Sequence, residues 1–151
     1  MILKIISIKP GAYDQFEEKI LDFWIIGELQ SGKIIQIFDY NYDLRDLIGN
    51  RVECLIFTPL ASISKQRSGR MGKNVMRGYI INSHKIDKKW QKVYDKEHDI
   101  YDMEKDYIAI KTADGFFPTN LTEKDIKDID TEKDIYFKIG RYDLIAYIPF
   151  E

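Results

Sequence analysis

The sequence is poor in the residues on which cross-links, zinc sites and membrane spans depend. Cys54 is the only cysteine in 151 residues, which excludes an intrachain disulfide and a zinc site built from cysteines. No apolar run approaches the ~18 residues of a membrane-spanning helix, and the first residues lack a cleavable signal pattern. We therefore expect no contact with membranes and a reducing, cytoplasmic location.

Local motifs for catalysis are also missing. Residues 69–74 contain two glycines and a lysine, but they lack the spacing and the hydroxyl of a phosphate-binding loop. The histidines His84 and His98 are interpreted as a core residue and an exposed loop residue. The sequence thus predicts no cofactor and no metal, and it favours a protein that is not an enzyme. An enzyme without a local motif stays as a third hypothesis, recognisable by a deep pocket that His84 or a carboxylate points into.

The composition favours β-structure in one domain. Ile and Tyr are abundant and Ala is scarce, and the first two suit the half-buried surfaces of strands. The hydrophobic fraction of 44% and the charged fraction of 32% are typical of a folded globular protein rather than a disordered one. A chain of this length can bury a substantial core. We expect a single domain over residues 1–151, with a long basic loop at about 62–76.

Turn signals between apolar segments predict eight or nine short strands and two or three short helices. Residues 23–29 and 33–40 flank Ser31 and Gly32, which indicates a hairpin, and a second hairpin is expected around residues 113–115. Asp14 is expected to cap a short helix. Short strands need protected edges, so we predict a mainly β fold, a small antiparallel barrel that is OB-like at best. That resemblance is architectural and identifies no family.

Positive charge is concentrated in one segment. Residues 65–92 hold nine cations and one anion, a net charge of +8, whereas the whole chain carries −2. Clustered Lys and Arg bind phosphate chains, and exposed aromatic rings stack on the bases of single strands. The sequence therefore predicts a non-enzymatic module that binds a polyanion, single-stranded nucleic acid in particular. The predicted binding residues are Lys65, Arg67, Arg70, Lys73, Arg77, Tyr79, Lys88, Lys89, Trp90 and Lys92.

An acidic segment supports a different interpretation of the same charges. Residues 95–134 hold thirteen acids and six cations, a net charge of −7, and opposite fields of this size favour contact. The alternative is therefore a protein-interaction or assembly module, in which the basic block 65–92 pairs with an acidic protein surface or forms a salt-sensitive homo-oligomer. In a third interpretation the basic segment is solvated surface, with Trp90 and Tyr94 in the core.

Overall fold

The computed structural model describes residues 1–64, 74–94 and 101–150 and is mainly β. The described residues form twelve strands, two short α-helices and a 3₁₀ turn at Arg45–Leu47. The helices are α1, Lys88–Val93, and α2, Glu123–Ile126. The strands are β1 Ile2–Pro10, β2 Tyr13–Asp14, β3 Lys19–Ile20, β4 Phe23–Leu29, β5 Ile34–Asp39, β6 Arg51–Phe57, β7 Ala61–Ile63, β8 Val75–Lys85, β9 Asp106–Thr112, β10 Gly115–Pro118, β11 Ile135–Ile139 and β12 Tyr142–Pro149.

Five strands close into a barrel in the order β1-β4-β5-β12-β6, with β6 returning to β1. The sequence predicted an antiparallel barrel. The structure differs at one pair, because β12 runs parallel to β5. Turn signals identify only strands joined by hairpins, and a parallel pair requires a long crossover connection instead. The predicted hairpin at Ser31 and Gly32 is present, and Gly32 has the positive φ of 90° that its turn requires.

A second sheet is inserted in the chain between β6 and β12, in the order β10-β9-β8-β11-β7. Its β9–β10 hairpin is the one predicted around residues 113–115. The helix expected at Asp14 is instead the small β2–β3 hairpin. The Asp14 carboxylate accepts hydrogen bonds from the N–H groups of Phe16 and Glu17, and this turns the chain rather than starting a helix.

Alternation along the barrel strands fills the barrel with apolar side chains. Leu3, Ile25, Ile37 and Ile56 are fully buried, and the same core continues into the second sheet through Phe137. Cys54 was expected to be a small buried hydrophobic residue, and this is confirmed by its 1% exposure. Burial raises the pKa of its thiol to about 12.

A separate apolar cluster covers part of the barrel's outer surface. Trp90 lies on α1, and Tyr94 directly follows it. Both belong to a cluster with Leu55 and Phe57 of β6 and Ile145 of β12. Asp87 begins the helix by accepting a hydrogen bond from the Lys89 N–H. The helix α1 is therefore fixed over β6 and β12.

Candidate functional site

Apolar and aromatic side chains are partly exposed on the outer surface of β4 and β5. Alternation along these strands sends Trp24 and Ile26 outward from β4 and Gln36 and Phe38 outward from β5. The register pairs Trp24 with Phe38 and Ile26 with Gln36. We call these four residues the β4–β5 face.

One row of side chains crosses four neighbouring strands at this face. Lys9 of β1 lies opposite Trp24, Trp24 opposite Phe38, and Phe38 beside Asp143 of β12. The Trp24 and Phe38 rings have centroids 4.9 Å apart, and the Tyr40 ring stacks 6.0 Å beyond Phe38. The row therefore offers a positive charge at one end and a series of aromatic rings beside it.

A β-bulge decides that Lys9 belongs to this row. The register of β1 against β4 shifts between Ile5 and Ser7, and a bulge of this kind moves the following side chains to the opposite faces. Ile8 consequently packs against the core, whereas Lys9 is exposed on the outside.

An arginine and a buried carboxylate stand at the other end of the row. Arg141 donates from Nε to Oδ1 of Asp143 at 2.6 Å and from Nη2 to Oδ2 at 2.9 Å. The Tyr101 hydroxyl donates to the same carboxylate at 3.2 Å. The Arg141 guanidinium lies over the Phe38 ring, 5.5 Å from its centroid. Asp143 is fully buried, so these partners compensate its charge.

A groove of about 410 Å³ runs beside the β4–β5 face, within the size range of ligand sites. Ile34 and Trp24 line one side, and Gly140 and Arg141 of the turn before β12 line the other. Asn74, the first described residue after the basic stretch 65–73, also lines it. The described chain thus resumes after residue 73 at a residue that lines this groove.

Two contacts join the β4–β5 turn of the barrel to the second sheet. Lys33 donates from Nζ to the Val75 carbonyl oxygen at 2.5 Å, where β8 begins, and its half-buried position lowers the pKa of its amine. Ser31 donates from its N–H and its hydroxyl to the carboxylate of Asp114, at 2.8 and 2.6 Å. The start of β8 is thereby fastened to the barrel.

A second hollow, of about 510 Å³, lies at the end of the aromatic row. It is lined by the β2–β3 hairpin and by the loop after β5. The buried Asp39 carboxylate fixes this loop by accepting hydrogen bonds from the N–H groups of Asn41, Tyr42 and Asp43. Tyr40 lines it too, and burial raises the pKa of its hydroxyl to about 12.

Six of the ten residues predicted from the basic segment are described, and they are divided between β8 and α1. Lys65, Arg67, Arg70 and Lys73 are outside the described residues, so their role stays a prediction. A loop was expected at about residues 62–76. In the structure β7 extends to Ile63 and β8 begins at Val75, so both ends of the expected loop belong to strands.

Arg77 and Tyr79 lie on β8, in the second sheet. Arg77 forms an ion pair with Asp134 and stacks over the Tyr136 ring at 5.8 Å. The basic and acidic segments thus meet within the molecule at this point, where β8 pairs with β11. Tyr79 is 42% exposed, so its ring is accessible to a ligand.

The other predicted residues belong to α1. Lys88 and Lys92 are exposed, and Lys89 forms an ion pair with Glu53 of β6. Trp90 is only 5% exposed. Its ring is packed in the cluster over β6 and β12 and is not available for stacking on a base.

Among the described residues, no group of three or more His, Cys, Asp or Glu side chains could hold a metal ion. No helix in the described part of the chain is long and apolar enough to cross a membrane. His84 is half-buried and stacked on Phe116, with ring centroids 4.5 Å apart. Desolvation lowers the pKa of its imidazole.

No protein-family model, curated protein or solved structure matches this chain. Sequence reasoning missed Trp24, Phe38 and Arg141, because residues 23–26 are all apolar and their sequence therefore shows no polar–apolar alternation that would identify an outer face. Counting back from a two-residue turn at Ser31 and Gly32 would have paired Trp24 with Asp39. The observed pairing with Phe38 requires the three-residue loop 30–32, which the hydrogen bond from the Leu29 N–H to the Lys33 carbonyl oxygen closes.

Proposed function

We propose that this chain is a non-enzymatic module that binds single-stranded nucleic acid along the β4–β5 face. The observation that carries the proposal is the row from Lys9 through Trp24 and Phe38 to Arg141, beside a groove that Asn74 also lines. Single strands are held by aromatic rings on which bases stack and by cations that follow the backbone. The row supplies both, and Asn74, which follows the basic stretch 65–73 in the sequence, lines the groove.

The barrel order supports an OB-like arrangement as part of this proposal. Numbered by their position among the barrel strands alone, the five strands run 1-2-3-5-4, with the third and fifth parallel. OB barrels bind oligonucleotides on their second and third strands and on the loops after the first and fourth. Here the second and third barrel strands are β4 and β5, and the fourth is followed by the inserted segment that carries the basic residues.

Binding of a labelled single strand tests the proposal. We expect the protein to shift the fluorescence anisotropy of an oligothymidylate of about twelve nucleotides, within the site sizes of OB folds, at low ionic strength. Trp24→Ala should weaken binding by about 1–3 kcal/mol, the usual contribution of one stacked base. Phe116→Ala is the matched control, because Phe116 is also a partly exposed aromatic residue but lies on β10 in the second sheet.

Two outcomes would contradict the proposal. One is the absence of binding at low ionic strength by the unmodified protein. The other is an equal loss of affinity in Trp24→Ala and Phe116→Ala, which would place the ligand away from the β4–β5 face. A Tyr79→Ala variant measured in the same series reports whether the exposed ring on β8 adds a second contact.

The assembly hypothesis stays as the alternative proposal. This proposal is supported by the ion pair between Arg77 and Asp134, which joins a residue of the basic segment to one of the acidic segment within the chain. Pairs of the same kind between two chains would form the assembly. Light scattering at low and high salt separates the two proposals. A dimer that dissociates with salt favours assembly, and a monomer that binds the oligonucleotide favours the nucleic-acid module.

A further inference from the structure

One edge of β5 is only partly covered by β12. The Leu29 N–H donates to the Lys33 carbonyl oxygen at 2.9 Å, which makes these two residues a hydrogen-bonded pair of the β4–β5 hairpin. Hydrogen-bonded and non-hydrogen-bonded pairs alternate along an antiparallel ladder. Ile35 therefore bonds to β4, whereas Ile34 and Gln36 direct their backbone N–H and C=O groups away from β4, toward the side of β12.

The pairing with β12 leaves the beginning of this edge open. β12 pairs with β5 only at Ile37 and Phe38, and a parallel pair in that position uses the Gln36 carbonyl oxygen and both backbone groups of Phe38. Among the described residues, the N–H and C=O of Ile34 and the N–H of Gln36 have no hydrogen-bond partner.

The open edge faces the groove beside the β4–β5 face. Ile34, Ile35 and Gln36 all line this groove. Consecutive side chains of a strand point to opposite faces, and Ile35 points into the barrel, where it is only 2% exposed. Three successive residues therefore line one groove through the edge of their backbone.

The groove exists because the chain before β12 diverges from β5. The register of β12 against β5 would place Ile139 opposite Ile34 if the strand continued straight. Instead, the Ile139 N–H donates to the Asn74 carbonyl oxygen at 2.8 Å and the Gly140 N–H to the Leu60 carbonyl oxygen at 2.9 Å. These acceptors directly precede β8 and β7 of the second sheet. The opening is thus fixed by hydrogen bonds on its far side.

The other strand edges carry protection that β5 lacks. The edge strand β10 ends at Pro118, which has no N–H group, and β7 has three residues, of which Ala61 donates its N–H to Oδ1 of Asn120 at 2.8 Å. Short strands and prolines at sheet edges prevent pairing with other chains. Residues 34–38 of β5 contain neither proline nor a charged side chain.

We propose that the groove binds an extended, uncharged peptide segment of a partner protein, which adds to β5 as a further strand. An unpaired strand edge is completed by another strand. Arg141 is the only charged residue among the described residues that line the groove, and its charge is compensated by Asp143. A charged segment therefore gains nothing over a neutral one.

The open groups define how the peptide pairs. In an antiparallel arrangement the peptide residue opposite Ile34 exchanges two hydrogen bonds with it, and the Gln36 N–H donates to a carbonyl oxygen two residues away. Those positions of β5 are about 7 Å apart at about 3.4 Å per residue. The Ile34 side chain is 46% exposed, so a β-branched peptide residue opposite it forms a favourable cross-strand pair.

Amide hydrogen exchange, measured by NMR on the labelled full chain, tests this inference. In the free protein the Ile34 and Gln36 amides should exchange rapidly and those of Ile35 and Ile37 slowly. The probe is a capped hexapeptide of alternating valine and threonine. At about nine times its dissociation constant it should slow the Ile34 and Gln36 exchange about tenfold, because only unbound molecules exchange. The control peptide is N-methylated at two consecutive central amides, which blocks both of its edges.

A pair of variants at one position supplies the second test. Ile34→Pro removes the N–H group that faces the groove without removing a bond to β4, and proline is tolerated at a strand edge. Ile34→Thr keeps the N–H group and a β-branched side chain. Peptide binding should be lost in Ile34→Pro and retained in Ile34→Thr, with circular dichroism to check the fold.

Four results would overturn the inference. One is the absence of protection by the valine–threonine peptide at millimolar concentration, and another is equal protection by the methylated peptide. Protection of the same amides by oligothymidylate instead would assign the groove to nucleic acid. Protection without peptide that disappears on dilution would assign it to a second copy of the chain. None of these measurements depends on the row of aromatic rings, so a failure of the proposed function leaves this inference standing.

Discussion

The salt dependence of binding should distinguish the cation beside the β4–β5 face from the cations of α1. A single strand that contacts Z cations loses affinity with a log–log slope of about −0.7Z. Lys9→Gln removes one contact in our proposal, so the slope should become smaller by about 0.7. The double substitution Lys88→Gln and Lys92→Gln removes twice the charge but should leave the slope unchanged, because α1 packs over β6 and β12.

The control for Lys9 lies on the same strand. Lys4 is also exposed on the outside of β1, but it lies opposite Glu28. Because Glu28 is four residues from Trp24, the partner of Lys9, Lys4 and Lys9 are about 14 Å apart, four steps of about 3.4 Å each. This separation exceeds the Debye length of about 10 Å at 0.1 M salt. Lys4→Gln should therefore leave the slope close to that of the unmodified protein.

The measurement is a series of anisotropy titrations of one labelled oligonucleotide at increasing salt. A triple substitution of Arg67, Arg70 and Lys73 belongs to the same series and should reduce the slope by about 2, three contacts at about 0.7 each. If the α1 double variant reduces the slope by more than Lys9→Gln does, the strand follows α1. The assignment of the ligand to the β4–β5 face would then be wrong.

Three further predictions concern the core. Cys54 should not react with a thiol reagent at pH 8 in the folded protein, because its thiol is buried with a pKa of about 12; rapid labelling without denaturant would contradict the barrel packing. Since that pKa is raised above its usual value near 9, the stabilisation from burying the neutral thiol should be complete below about pH 9 and decline as pH rises toward 12. Phe137→Ala should lower the free energy of unfolding by about 3–5 kcal/mol, whereas Phe16→Ala, at 100% exposure, should change it by less than about 0.5 kcal/mol in urea titrations.

Sequence reasoning recovered the parts of the fold that local signals encode. The β4–β5 and β9–β10 hairpins follow from turn residues between apolar segments, and both are confirmed. Cys54 was placed in the core by alternation along β6. These features require only neighbouring residues, so one sequence is enough to predict them.

The parallel β5–β12 pair and the closure of the barrel could not be predicted in this way. The β5–β12 pair joins residues about a hundred positions apart, and the β1–β6 pair that closes the barrel joins residues about fifty apart. No local pattern selects the partner of a strand over such separations. The helix expected at Asp14 failed for a local reason, since an Asp side chain that accepts from following N–H groups serves a turn as well as a helix cap.

The candidate site was only partly accessible to sequence reasoning for a related reason. Charge is visible in a sequence, so the basic segment was found, but its described residues are divided between β8 and α1. The row across the β4–β5 face depends on the register of four strands and on the β1 bulge. Trp90 and Trp24 are indistinguishable as residue types, and only the fold assigns one to the core and the other to the surface.

The insertion of the second sheet between β6 and β12 also sets an order of assembly. Hairpin contacts such as β4–β5 and β9–β10 close short loops and form early, whereas β12 must return across the whole segment 58–141 before it can pair with β5 and β6. Arg141 and Asp143 arrive with that strand. We therefore expect the groove beside the β4–β5 face to be completed late in folding, and a chain arrested before β12 pairs would lack the side of the groove that Arg141 and Tyr142 line.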